Sequence, residues 1–156
     1  MPSYRGHLVG GVVTYLLMLQ CIKYAQPNID VIFQGLLFCL LGSLFPDIDI
    51  QSKGQKLFYQ ALFIIILLII AYHRMELLVP VAVVSFIPLL LNHRGITHNP
   101  WFVLFLGLCM PIASHWYHPE LWQLAVKAAF FFIVGGWSHL VLDWGVVGFS
   151  KRFFRT

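Results

Sequence analysis

Four short stretches of this chain gather the residue types that hold divalent metal ions. They are His7, Pro46-Asp47-Ile48-Asp49, Asn92-His93-Arg94-Gly95-Ile96-Thr97-His98, and Ser138-His139-Leu140-Val141-Leu142-Asp143. His139 and Asp143 stand four residues apart and so share one face of a helix. Asp47 and Asp49 follow a proline at a helix end, where two carboxylates two residues apart can turn toward one ion. His93 and His98 flank Gly95, which lets the backbone turn sharply between them. The candidate ligands are therefore His7, Asp47, Asp49, His93, His98, His139 and Asp143. Four imidazoles and three carboxylates suit Zn²⁺ first, or Mn²⁺ or Fe²⁺, better than an all-oxygen Ca²⁺ site. Seven donors exceed the four of a tetrahedral zinc, so one ion with a supporting ring of residues and two ions both fit. Such an ion activates a bound water for hydrolysis. Asp49 and Asp143 are candidates to take the water's proton. Arg94 can hold a phosphate bidentately, and it can equally pair with Asp47 or Asp49 or with lipid headgroups. The hydroxyl of Thr97 is placed to orient a ligand.

The elements that must position these residues follow from composition. Of the 156 residues, 60% are hydrophobic and only 10% are charged. A water-facing surface needs about 25% charged residues, and disorder needs low hydrophobicity, so a soluble domain and a disordered chain are both excluded. Apolar segments fall at about 8–25, 29–45, 57–72, 75–91, 101–116 and 121–144. Crossing a bilayer takes roughly 17–25 helical residues. The run Phe63 to Ile70 does not alternate with period two, which argues against a β-barrel. The expectation is an all-α, polytopic membrane bundle of about six transmembrane helices, forming a single domain over 1–156. Short connections favour antiparallel neighbours. Arg5 before an apolar stretch imitates a signal peptide, but no small-residue cleavage site follows, so 8–25 reads as a retained helix.

Six crossings put both termini on one side. Arg5, Lys53, Lys56, Arg94, Lys151, Arg152 and Arg155 then share a face opposite Lys23, Arg74 and Lys127. This bias points to cytoplasmic termini. The same topology brings all four metal-type stretches to the cytoplasmic face, although only the apolar runs entered it. The net charge of +4 is thus mainly an orientation signal. Lys151-Arg152-Phe153-Phe154-Arg155 reads as an interfacial anchor rather than a nucleic-acid patch, so the expected partners are membrane lipids and no nucleic acid.

Other polar residues carry less. Cys21, Cys39 and Cys109 lack metal-type spacing and read as small buried hydrophobes. His73, His115 and His118 collect at the opposite face without a nearby Asp and read as interfacial. Asp30 and Glu76 complement helix dipoles. Gly10-Gly11 and Gly135-Gly136 read as close-packing points able to bring His7 and His139 together. The five tryptophans mostly sit near segment ends, as an aromatic belt would.

Taken in order, His7, Pro46-Asp47-Ile48-Asp49, His93-Arg94-Gly95-Ile96-Thr97-His98 and Ser138-His139-Leu140-Val141-Leu142-Asp143 resemble the YdjM-like family of membrane-bound, metal-dependent hydrolases, over roughly residues 5–145. The resemblance implies an inner-membrane, hydrolytic, metal-dependent protein. Family members continue past the last Asp with a T-x-x-G-V-x-L-type segment and a longer tail, whereas Asp143 is followed here by Trp144-Gly145-Val146-Val147-Gly148 and a short basic end. The leading expectation is a hydrolase using a metal-activated water on an amphiphilic substrate, with a lipid or isoprenoid phosphoester first. Two other classes compete with it. Intramembrane Asp/His clusters also build metal or proton pathways, although this cluster lies at one face and no discontinuous helix pair accompanies it. A metal could also simply staple helix ends in a structural protein.

Overall fold

A computed structural model describes residues 3–22, 28–49, 52–73 and 96–154, with the isolated positions 75, 78 and 81. Five α-helices have both ends among them: α1 (Tyr4–Ile22), α2 (Ile29–Leu44), α3 (Lys53–Ala71), α4 (Pro100–Tyr117) and α5 (Trp122–Phe153). Two 3-10 turns, Phe45–Asp49 and Pro119–Leu121, join α2 to α3 and α4 to α5. No strand occurs among the described residues. The expected segments 8–25, 29–45, 57–72 and 101–116 correspond to α1 through α4. Segment 75–91 lies almost wholly outside the described residues, although Leu78 and Val81 are helical. Among the described residues, three stretches are long and apolar enough to cross a membrane: Val31–Ile48, Lys53–Ala71 and Pro119–Phe153.

The outer surface is apolar, unlike that of a soluble bundle. Large apolar side chains such as Val9, Leu16, Phe33, Phe63, Ile64, Phe105 and Ile112 face outward. A compact aromatic and aliphatic core, with Phe45, Phe58, Val103, Phe132 and Leu140 all buried, fills the centre.

Helix α5 is the central element and packs along α2, α4 and α1. Its approach to α2 is set by glycine. A Cβ at Gly42 would overlap the carbonyl oxygen of Phe132, and one at Gly135 would overlap that of Cys39. The two backbones touch directly, as small residues allow between membrane helices. Gly10 and Gly11 make room on α1 for the side chains of Leu142 and Ser43. Both expected glycine pairs therefore lie at helix contacts.

Helix α5 runs beyond the expected 121–144 segment because a break at Gly145, not the end of the helix, closes the apolar run. Gly145 has φ 69° and ψ 165°, a conformation essentially reserved for glycine. Helix resumes after it to Phe153. Trp101 Nε1 donates to the Phe153 carbonyl (2.9 Å) and its ring stacks on that of Phe153 (4.6 Å). The Arg152 guanidinium lies 4.0 Å from the centre of the Trp144 ring, a cation–π contact. The basic end is thus a folded-back helical tail, and Trp101 and Trp137 pack against its Phe153 ring.

Candidate metal centre

Local sequence explains how each site residue is delivered. Proline 46 has no N–H to continue the α-helical ladder, so α2 stops at Leu44 and tightens into the Phe45–Asp49 turn. Phe45 and Ile48 anchor that turn in the core, with Phe45 against the rings of Phe58 (6.3 Å) and Phe132 (5.4 Å). Gln55 Nε2 donates to the Ile48 carbonyl (2.8 Å), tying the start of α3 to the turn. Asp47 is left facing the site.

At the other approach, Asn99 accepts from Trp101 N (2.9 Å) as the N-cap of α4, with Pro100 at its first position. The Asn99 N–H donates to the Ile96 carbonyl (3.0 Å), closing the turn that buries Thr97 and directs His98 inward. Trp137 Nε1 donates to the Pro100 carbonyl (3.2 Å) and fixes this turn to α5. His139 and Asp143 come from α5, and His7 comes from the first turns of α1.

Asp47, His98, His139 and Asp143 each offer one ligand atom within 4.8 Å of the others, an arrangement that could hold a metal ion. His139 Nε2 lies 3.6 Å from Asp47 Oδ1 and 3.3 Å from Asp143 Oδ2. His98 Nε2 lies 3.5 Å from Asp47 Oδ1 and 3.6 Å from Asp143 Oδ2. These gaps exceed an ordinary N–H···O bond of about 2.9 Å. They match the ~3.4 Å edge of a tetrahedron whose donors each sit ~2.1 Å from a shared ion.

The decisive proton sits on the far side of His139. Its Nδ1 is 2.7 Å from the carbonyl oxygen of Ser43, which can only accept. Nδ1 therefore carries a hydrogen, and in the neutral ring Nε2 presents its lone pair to two carboxylates. Lone pair facing lone pair is repulsive, so the arrangement calls for positive charge at this point, which a bound cation or a proton on Nε2 supplies. A ligand imidazole whose other nitrogen donates to a backbone carbonyl is the usual arrangement around a metal. Asp143 makes the same demand. Its side chain is 2% exposed, and neither oxygen has a hydrogen-bond donor of good geometry among the described residues. A buried carboxylate in that state needs a counter-charge. The donor set thus fits a divalent ion on its chemistry as well as its spacing.

The sequence pattern of the YdjM inner membrane protein family matches residues 1–148. The chain belongs to that family. The YdjM match covers every element described above except the last turns of the tail. No curated protein and no solved structure matches the chain.

The structure brings together five of the seven expected ligand residues of this YdjM chain. His7 is the fifth, buried beside the other four, with its ring stacked on that of His139 at 3.7 Å. Asp49 lies in the 3-10 turn, but its side chain is outside the described residues, as are His93 and Arg94. Thr97 Oγ1 is 3.4 Å from His98 Nδ1, the nitrogen turned away from the carboxylates. Thr97→Val is expected to weaken metal binding about 10-fold, in the range for losing a supporting partner of a ligand. A competition titration with a chelating dye measures it, and unchanged affinity would remove Thr97 from the site.

Sequence reasoning missed the Ser43 carbonyl, because a backbone acceptor leaves no mark in residue types. At the opposite end His118 pairs with Glu120 (3.0 Å) and His115 packs on Trp122 (5.5 Å). No second group of metal-type ligands converges among the described residues. The three cysteines are free thiols.

Proposed function

We propose that this chain is a multi-pass, metal-dependent hydrolase of the inner membrane, with about six crossings and both termini and the site at the cytoplasmic face. The observation that carries the reading is His139, held by its Nδ1 contact to the Ser43 carbonyl (2.7 Å) so that Nε2 faces two carboxylates at 3.3 and 3.6 Å. When bound, a divalent ion such as Zn²⁺, Mn²⁺ or Fe²⁺ lowers the pKa of a coordinated water toward 7. The chain's own residues do the rest. His98 and His139 supply neutral nitrogens, and Asp47 and Asp143 supply the charge that offsets the ion. Asp47, 23% exposed, opens the site to its surroundings, whereas His139 and Asp143 close it from behind. A carboxylate at that opening can take the proton of an attacking water, and Asp49 is the neighbouring candidate. Arg94, four residues before His98, is the candidate for holding a phosphate. A polar site walled by helices that face lipid suits an amphiphilic substrate, and a lipid or isoprenoid phosphoester is the class proposed.

The test is hydrolysis by detergent-purified protein. Loaded with Zn²⁺ or Mn²⁺, it is expected to cleave lipid phosphoesters and to lose that activity on chelation. Absence of hydrolysis of any lipid phosphoester, ester or amide would remove the enzymatic reading. One observation favours a second reading, in which the metal staples helix ends. Four protein donors already fill a tetrahedral shell. Under that reading chelation lowers the melting temperature and no substrate is turned over.

A further inference from the structure

The two carboxylates do not present the same oxygen to all three histidines. His98 and His139 meet Oδ1 of Asp47 and Oδ2 of Asp143. His7 Nε2 meets the other oxygen of each, at 4.0 Å from Asp47 Oδ2 and 3.5 Å from Asp143 Oδ1. Each carboxylate therefore stands between two sets of nitrogen donors, one oxygen turned each way. The His7 and His139 rings lie nearly parallel, 13° apart, with centroids separated by 3.7 Å. Two-metal sites hold their ions about 3.5–4 Å apart, which is the spacing of this stack.

We propose that the site holds two divalent ions bridged by both Asp47 and Asp143, one capped by His98 and His139, the other by His7. The inference rests on the metal-centre reading above and deepens it. The first position has four protein donors and is closed in tetrahedral geometry. The second has three among the described residues, His7 Nε2, Asp47 Oδ2 and Asp143 Oδ1. The pairing also selects the substrate class, because two adjacent ions can clamp the attacking and leaving oxygens of a phosphoester. One buried imidazole thus defines the second position. Its place on α1 makes the N-terminal helix part of the site rather than a membrane anchor alone.

Metal counting decides the question without reference to activity. Protein loaded with excess Zn²⁺ and freed of unbound metal is expected to retain two ions per chain, and His7→Ala one. Loaded with Mn²⁺, the unmodified protein is expected to give the electron paramagnetic resonance spectrum of an exchange-coupled pair, and His7→Ala that of an isolated ion. His7→Asn, closer in shape, guards against loss through misfolding, with helical content checked by circular dichroism in both variants. A single ion in the unmodified protein, kept by the His7 variants, overturns the two-ion proposal and leaves the metal centre standing. No bound metal in the unmodified protein overturns both readings. Loss of both ions from helical His7→Asn shows that the two positions are not separable, and that also overturns the proposal.

Discussion

A double Asp47→Ala/His98→Ala variant is expected to leave purification without its metal while retaining its helices. The two side chains come from separate approaches to the site, the 3-10 turn after α2 and the turn before α4, so the variant strips both while leaving α5 intact. Structural zinc sites of four ligands bind with about 10–16 kcal/mol, or roughly 3 kcal/mol per ligand. Losing two ligands should therefore weaken binding by about 6 kcal/mol, on the order of 10⁴-fold. What remains is His139 with Asp143 at one position and His7 with Asp143 at the other, too few at either to compete with a chelating buffer. Folding should survive, because Asp47 and His98 are the two most accessible members of the four-residue cluster (side chains 23% and 11% exposed) and neither belongs to the packed aromatic core. Elemental analysis of matched preparations, with circular dichroism as the folding control, reads the result. Equal metal content in the variant and the unmodified protein would sink the site assignment as a whole.

The second large effect comes from a residue that touches no ligand. Gly42→Ala places a methyl against the Phe132 carbonyl at the closest approach of α2 and α5. Backbone cannot yield as a flexible side chain can, so the helices must separate, at about 1–3 kcal/mol for overpacking. The next residue is Ser43, whose carbonyl holds the His139 ring. Displacing that acceptor frees the imidazole to rotate, and loss of such a partner costs about 10–100-fold in metal affinity. A lower thermal midpoint and weaker Zn²⁺ binding are expected together. A variant with unchanged stability and unchanged affinity would show that the close approach is not what positions His139.

Much of this architecture was legible in the residues, for reasons that differ by element. Apolar runs without charge have one use in a chain this hydrophobic, so the helices corresponding to α1 through α4 stood out. His139 and Asp143 were readable as a pair because a four-residue spacing has one geometric meaning on a helix. Their meeting with Asp47 and His98 was readable because segment lengths placed all of them at one end of the bundle. The tail was not. Beyond Gly145 the chain is helical again, but eight residues leave too short a pattern, and a glycine turn is indistinguishable in sequence from a helix end. The meeting of His7 and His139 was legible in the glycines beside them, but the stacking of their rings was not, since it depends on the rotation of α1, a helix that carries apolar residues around most of its circumference.

The bond between His139 and the Ser43 carbonyl changes what a complete substitution map of this chain would display. The acceptor belongs to the main chain, and no replacement at position 43 deletes it. Ser43→Ala loses only a hydroxyl bonded within its own helix, to the Leu40 carbonyl. Such a map would therefore score Ser43 as tolerant of small residues. Gly42 and Gly135, which carry no chemistry, would score beside the ligands. Read as a list of intolerant positions, it would credit the glycines with a role in binding and overlook the atom that sets the histidine's proton.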